Sequence, residues 1–225
     1  MDGGVRLSHA AWPLVALSLV AFSGMAWWMM GPSGSGLWGW YAAPQASGAQ
    51  AWRWWSAAVV HLNVEHLVGN LWAAAVVGAW GWVARVSAPQ AIAWLLAWPL
   101  SQALLVTDPG SLARYAGLSA TLHAGTAIVC WHLLWQAHGL RRGVGAAVSL
   151  AISIKLAMEV PVLQQAVAGW MGTGPPQPQA LPHAPGHVVA GHAHGCGVLA
   201  GVVAAALVDG IIGICRRLRL FRILT

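Results

Sequence analysis

The chain has 225 residues, of which 58% are hydrophobic and 7% charged, and its formal net charge is +6. An ordinary soluble domain carries about 25% charged residues, so this deficit excludes a water-facing surface over most of the chain. The mean hydropathy of +0.65 agrees. Lipid is therefore the expected solvent, and the composition predicts an all-α polytopic membrane protein.

Six apolar stretches approach the length of about 20 residues that a helix needs to cross a bilayer. In chain order, we predict spans at approximately 11–30, 63–84, 89–106, 118–137, 144–168 and 189–213. The connections leave no room for a second domain, so residues 1–225 are predicted to form a single membrane domain. The first stretch exceeds the usual apolar core of about 7–15 residues in a cleaved signal peptide, which favours an uncleaved anchor.

The basic residues are distributed unevenly around these spans. With an inside N-terminus, one side of the membrane receives eight arginines: Arg6, Arg85, Arg141, Arg142, Arg216, Arg217, Arg219 and Arg222. Only Arg53 and Arg114 fall in loops on the other side, and Lys155 lies within a span. This positive-inside pattern predicts cytoplasmic termini. It assigns the basic tail to anionic lipid headgroups instead of nucleic acid.

Two long connections lie on the predicted outer side. Residues 31–56 are rich in Trp, which favours the membrane interface. Residues 169–188 are rich in Pro and Gly and cannot form a spanning helix, so we expect a mobile connection. The three cysteines show no pairing or zinc-like spacing and are interpreted as small packing residues: Cys130, Cys196 and Cys215.

Polar residues collect near the outer ends of the three inward-running spans. Asn63 is predicted to cap span two, which places His66 and Asn70 in its first two turns. Ser119 opens span four, and His194 lies early in span six. Topology alone therefore brings these groups to one depth, and polar residues inside spans are candidates for function.

This combination suits acyl-transfer chemistry. Ser119 needs a base to become a nucleophile, and His194 on another helix can supply it. His66 and Asn70 are four residues apart on one helical face, and both can donate to an oxyanion. The Ser119 backbone N–H, at a helix start, is a further donor. We expect no carboxylate at this depth, so the predicted site has no acid.

Small residues accompany the proposed base. Gly197 and Gly201 share a helical face with His194. The absence of side-chain bulk at both positions predicts a close approach of span six to a neighbouring helix. If that neighbour is span four, the imidazole is carried to the serine.

Several alternatives remain open from the residues alone. His123, one turn after the serine, and His192 are rival bases. Lys155 and Glu159 are four apart in span five, and we predict a buried pair that neutralises itself, with substrate positioning as the alternative role.

A metal site is another alternative, because the chain contains ten histidines. The run from His61 to His66 misses the inverted zinc-peptidase motif by one residue. A better ligand set would be His183, His187, His192 and His194. The preferred interpretation uses neither metal nor cofactor.

Four short motifs follow one another from the first outer connection to span six: Trp52-Arg53, His61-x4-His66-x3-Asn70, Gly117-Leu-Ser119 and Ala193-His194-x2-Gly197-x3-Gly201. As an ordered set, they resemble the rhomboid intramembrane serine proteases. The resemblance implies a bundle of six transmembrane helices in the bacterial inner membrane. It also implies a serine–histidine dyad that opens to the periplasm, a helix in the first outer connection and a mobile cap near the last.

The resemblance assigns the nucleophile, base and oxyanion donors to the residues already named. It makes Gly117 the close-packing residue before the serine, and it implies that the outer loop is organised by His61, Trp52 and Arg53. One departure is Ala120, where many rhomboids have glycine after the serine. We expect modest crowding there and retained activity.

A narrower resemblance is to rhombosortases, carried by His61-Leu-Asn-Val-Glu-His66, Gly117-Leu-Ser-Ala-Thr-Leu-His123 and Lys155-x3-Glu159. It implies that the partners are transmembrane or C-terminally anchored protein substrates with a Gly-Gly motif, an apolar helix and a basic end. A general rhomboid protease and an inactive rhomboid-like binder of membrane clients are the other possibilities. The sequence does not decide between hydrolysis and acyl transfer to another nucleophile.

Overall fold

A computed structural model describes residues 3–41, 51–105, 114–159, 170 and 190–224. Within these ranges, the chain is almost entirely helical, as predicted. The α-helices are α1 (Gly3–Met30), α2 (Gly34–Trp38), α3 (Arg53–Val59), α4 (Val64–Val83), α5 (Ala88–Leu104), α6 (Ser119–Gln136), α7 (Gly139–Met158) and α8 (Ala190–Leu224). A 3-10 turn, Gly31–Ser33, joins α1 to α2.

Two helical stretches of the described chain are long and apolar enough to cross a membrane: Ala10–Gly36 and His192–Leu218. The helices at the other four predicted spans are 17 to 20 residues long and do not meet the same criteria of length and hydropathy together. Tryptophans and polar residues lower the hydropathy of α4, for example. The structure therefore supports membrane association and a helical bundle, while the count of six spans stays a prediction.

The helix boundaries follow the sequence signals closely at α4 and α6. Asn63 caps α4, because its side-chain oxygen accepts a hydrogen bond of 2.7 Å from the His66 N–H. α6 begins at Ser119, as expected.

Span five was predicted less well. α7 begins at Gly139, so Arg141 and Arg142 lie in its first turn and not in a connecting loop. A guanidinium nitrogen of Arg141 donates to the Ala84 carbonyl at 2.5 Å, which ties this turn to the end of α4. The helix ends at Met158, and residues 160–168 lie outside the described part of the chain.

α6 is the central helix and packs against α4, α5, α7 and α8. Its buried face is made of small and branched residues, which allow close approach. Two buried tryptophans fill the space beside it. Trp12 and Trp94 stack with ring centroids 4.4 Å apart, and the Trp94 indole donates to the Thr121 carbonyl at 2.8 Å. These two contacts therefore fix the orientation of α1, α5 and α6 about their helix axes.

Three helices, α5, α6 and α8, meet at one carboxylate. Asp209 of α8 accepts hydrogen bonds from Gln90 of α5 at 2.7 Å and from the Trp131 indole of α6 at 2.9 Å. Gln136 adds a longer contact of 3.3 Å. These donors satisfy a charge near the predicted inner surface and tie α8 to α5 and α6.

The connection between α1 and α4 folds back on the segment before α6. Its β1 (Trp40–Tyr41) pairs antiparallel with β2 (Arg114–Tyr115). Arg53 at the start of α3 donates to the Gly39 carbonyl at 2.6 Å, and Ser56 donates to the Trp38 carbonyl at 2.9 Å. The loop is therefore braced against the chain that leads directly into Ser119.

Candidate active site

Ser119 is placed by a tight turn that only glycine can make easily. Gly117 has φ +124, in a region that L side chains rarely adopt. A Cβ there would lie 2.5 Å from His66 Cε1 and 3.3 Å from Asn70 Nδ2. The Gly117 N–H donates to the Ala57 carbonyl at 2.8 Å. The turn thus presses the start of α6 against the predicted oxyanion residues of α4.

The Tyr115 hydroxyl organises the same turn, and sequence reasoning missed it. It donates to the Gly117 carbonyl at 2.9 Å and accepts from the Ala120 N–H at 3.0 Å. Ser119 Oγ lies 3.1 Å away, and since the phenolic proton is used, the serine is the donor. Burial raises the pKa of Tyr115, so the hydroxyl stays protonated and keeps this geometry.

His194 reaches the site because α8 packs very closely on α6. A Cβ on Gly197 would overlap the Ala120 carbonyl oxygen, and one on Gly201 would overlap that of Ala124. The close approach expected from these glycines is therefore present, and the neighbour is α6. The His194 side chain is buried at this contact.

The His123 ring lies flat against the His194 ring. The two rings stack with centroids 4.0 Å apart and an interplanar angle of 21°. His123 Nδ1 lies 2.7 Å from the Ser119 backbone carbonyl, which can only accept, so this nitrogen carries the proton. His123 is thereby oriented along its own helix. The rival base His192 instead contacts Cys196, with 3.6 Å between Nε2 and Sγ.

The serine and the proposed base share one interface without a direct hydrogen bond. Among the described residues, the bond that Ser119 Oγ makes is to Tyr115, and none joins it to His194. For a proton to pass from Ser119 to His194, the serine hydroxyl would first have to leave Tyr115. Catalytic hydrogen bonds are often long or poorly aligned without substrate.

The oxyanion side contains an unpaired donor. Asn70 is buried, and its Nδ2 has no hydrogen-bond partner among the described residues. It lies beside Gly117, where an added Cβ would be 3.3 Å from this nitrogen. An unpaired buried amide is costly unless a ligand uses it. Its position is therefore suited to an oxyanion donor.

A carboxylate stands beside His194, which corrects the expectation that none lies at this depth. His194 Nδ1 is 3.1 Å from Glu159 Oε1 and 3.0 Å from Oε2. Lys155 Nζ is 2.5 Å from the same Oε1 and 2.9 Å from His194 Nδ1. The predicted Lys155–Glu159 pair exists, but it is not buried, since the two side chains are 45% and 22% exposed.

The remaining predicted residues support the outer wall of the site. His61 is buried edge-on to His66, with ring centroids 5.2 Å apart. Burial, together with the neighbouring His66, lowers the pKa of His61 to about 3. Arg53 braces the loop and also lies 4.6 Å from the Trp52 ring. The metal alternative rests partly on His183 and His187, which lie outside the described residues.

No protein-family model matches the chain, and no curated protein sequence matches it.

Proposed function

We propose that this chain is an intramembrane serine endopeptidase of the rhomboid type. The observation that carries the proposal is the position of the Ser119 turn between two functional groups. On one side lie His66 and the unpaired amide of Asn70, and on the other lies the close α6–α8 contact that holds His194. A nucleophile, a base and oxyanion donors on separate helices are the parts that acyl transfer requires.

In the proposed reaction, the substrate helix unwinds locally, because a helical peptide bond is shielded by its own backbone hydrogen bonds. Ser119 Oγ bonds to the exposed carbonyl carbon while its proton passes to Nε2 of His194. The carbonyl electron pair becomes an oxyanion held by Asn70 and His66. His194 then protonates the departing amine, and water hydrolyses the acyl-enzyme by the reverse sequence.

The membrane setting of the proposal follows the distribution of charge and hydropathy. We place the chain as six spans in a bacterial inner membrane, with both termini in the cytoplasm and the site opening to the periplasm. The preferred substrates are C-terminally anchored proteins with a Gly-Gly motif, as for rhombosortases. Their apolar anchor and basic end fit the same bilayer and the same charge rule.

A second candidate function is favoured by one contact. Because Ser119 Oγ bonds to Tyr115 and not to His194, the chain could hold membrane clients without cutting them. The protease and the binder differ in one property, the reactivity of the serine.

The test is cleavage of a single-span reporter by the purified protein in liposomes. The reporter carries Gly-Gly before its apolar helix and arginines after it. We expect cleavage by the wild type, none by Ser119→Ala or His194→Ala, and wild-type rates for the control Ser149→Ala, whose hydroxyl donates to the Gly145 carbonyl of its own helix, α7. Cleavage retained by Ser119→Ala would overturn the proposal, and an intact reporter with a wild type whose serine is also unreactive would favour the binder.

A further inference from the structure

The end of α7 presents two opposite charges to the same nitrogen of His194. Lys155 and Glu159 are one turn apart, and both lie within 3.1 Å of Nδ1. Glu159 follows the last helical residue, and its backbone N–H still bonds to the Lys155 and Leu156 carbonyls. The carboxylate is therefore held by the helix end and is not on a free loop.

Only one of the two charges can be bonded to Nδ1 at a time. If Nδ1 carries a proton, it donates to Glu159, and Nε2 keeps the lone pair that a base needs. If Lys155 donates to Nδ1, the proton of a neutral imidazole must sit on Nε2, and His194 cannot accept from a serine. The choice of partner at Nδ1 thus decides whether His194 is a base.

Two features favour Glu159 as the partner. Two carboxylate oxygens lie within hydrogen-bond distance of Nδ1, at 3.0 and 3.1 Å, whereas Lys155 offers one nitrogen, which also donates to Glu159 Oε1. The lysine is also more exposed, at 45% against 22% for the carboxylate. Lys155 therefore partners the carboxylate and keeps it ionised beside the membrane.

Building on the proposed function, we propose that Glu159 is the positioning residue of His194, which makes the site a Ser119–His194–Glu159 relay. Glu159 holds the tautomer with the proton on Nδ1 and stabilises the imidazolium that forms when Ser119 gives up its proton. The carboxylate itself takes no proton. Lys155 is a second positive charge near His194. It disfavours the imidazolium, whereas Glu159 favours it.

The charged and titratable groups that face the His194 ring from the described elements are Glu159 and Lys155 of α7 and His123 of α6. Glu159→Gln removes the negative charge and leaves the positive one. The imidazolium is then less favoured, so the acidic limb of the pH–rate profile moves to lower pH. Lys155→Gln removes the positive charge, so the same limb moves to higher pH.

The experiment measures the rate at which a fluorophosphonate probe labels the full-length protein in detergent, as a function of pH and probe concentration. For Glu159→Gln, we expect a drop of at least about tenfold in the maximal rate, with little change in the half-saturating probe concentration. The control Glu65→Gln changes an exposed carboxylate at the outer end of α4 and should label like the wild type.

Breaking the ion pair from either side removes the same structural contact, so a purely structural role would move both profiles alike or not at all. Opposite shifts for Glu159→Gln and Lys155→Gln support the relay. A wild-type rate and profile for Glu159→Gln, in a protein that labels at Ser119, would overturn the relay and leave the protease intact. Failure of the wild type to label would instead remove the proposed function.

Discussion

Gly197 of α8 lies directly against the backbone carbonyl of Ala120 of α6. Ala120 follows the proposed nucleophile, and Gly197 comes one turn after the proposed base. The contact therefore sets the distance between the two helices at the place where the chemistry needs it. One added methyl group at this point would separate them.

We expect Gly197→Ala to inactivate the protein by this route. The new Cβ overlaps a backbone oxygen, which no rotamer change can relieve, so α8 must shift. Overpacking of this kind costs about 1–3 kcal/mol in unfolding free energy, and a shift of about 1 Å costs roughly 100-fold in rate. Reporter cleavage and thermal unfolding in detergent measure the two effects.

The matched control is Gly213→Ala on the same helix, where a Cβ meets nothing within 4 Å. It should raise stability by about 0.5–1 kcal/mol, because alanine favours the helix, and leave cleavage unchanged. Equal effects of the two substitutions would show that α8 does not depend on close packing at Gly197.

We expect Asn70 to be required for cleavage but not for the stability of the fold. Its amide nitrogen is buried without a partner in the described structure, so Asn70→Leu removes a desolvated donor and keeps a side chain with the same branching and the same number of non-hydrogen atoms. We expect an unchanged or higher unfolding midpoint, together with a fall of roughly 100-fold in the cleavage rate, which is the usual cost of an oxyanion donor.

Thr121→Val is the control for this experiment. Thr121 is fully buried on α6, and its hydroxyl also has no partner among the described residues. Its replacement should stabilise the protein without slowing cleavage. A large loss of stability in Asn70→Leu would mean that Asn70 is structural, and the oxyanion assignment would lose its support.

We expect His123 to contribute by stacking its ring on His194 and not by accepting a proton from Ser119. It stacks on His194 at 4.0 Å, so His123→Phe keeps the stacking surface while removing both nitrogens. We expect His123→Phe to retain cleavage within about tenfold of the wild type and His123→Ala to lose more, since aromatic pairs contribute about 0.5–1.5 kcal/mol. If both variants are as inactive as His194→Ala, His123 is the base.

The buried His61 should make the protein sensitive to acid. Its pKa is about 3 in the folded protein and 6.5 in the unfolded chain. As the pH falls below 6.5, the unfolded chain binds a proton that the folded one does not, so stability is lost between these values. At about pH 5.5, this single group lowers the free energy of unfolding by about 1.4 kcal/mol.

Unfolding midpoints measured in detergent between about pH 8 and pH 5 provide the check. His61→Phe fills the same space without titrating and should reduce the loss of stability on acidification by the share that His61 contributes. Exposed His138→Phe should keep the wild-type dependence. An unchanged slope in His61→Phe would contradict the assignment of the acid sensitivity to this residue.

Much of the fold could be predicted from the sequence because hydropathy and capping are local signals. The apolar stretches located the helices, Asn63 marked the start of α4, and the glycines after His194 indicated a close helix contact. These signals predict the depth of each group in the bilayer. They do not set the rotation of one helix against another.

The two site contacts that were missed depend on that rotation or on distant pairing. Glu159 meets His194 because α7 ends at Met158 and turns its last residues toward α8, and no local pattern encodes that contact. Tyr115 meets Ser119 because β2 pairs with a strand far away in the chain. Its position four residues before the serine was the available signal, but a lone tyrosine at a loop end has many possible roles.

The most direct test of the central claim is to identify the residue that a fluorophosphonate probe modifies. In the proposed chemistry, Ser119 Oγ bonds to phosphorus, fluoride leaves, and the serine proton passes to His194. Peptide mapping by mass spectrometry should find the adduct on Ser119 in the wild type and none in Ser119→Ala or His194→Ala. Labelling at another residue, or equal labelling of Ser119→Ala, would contradict the account.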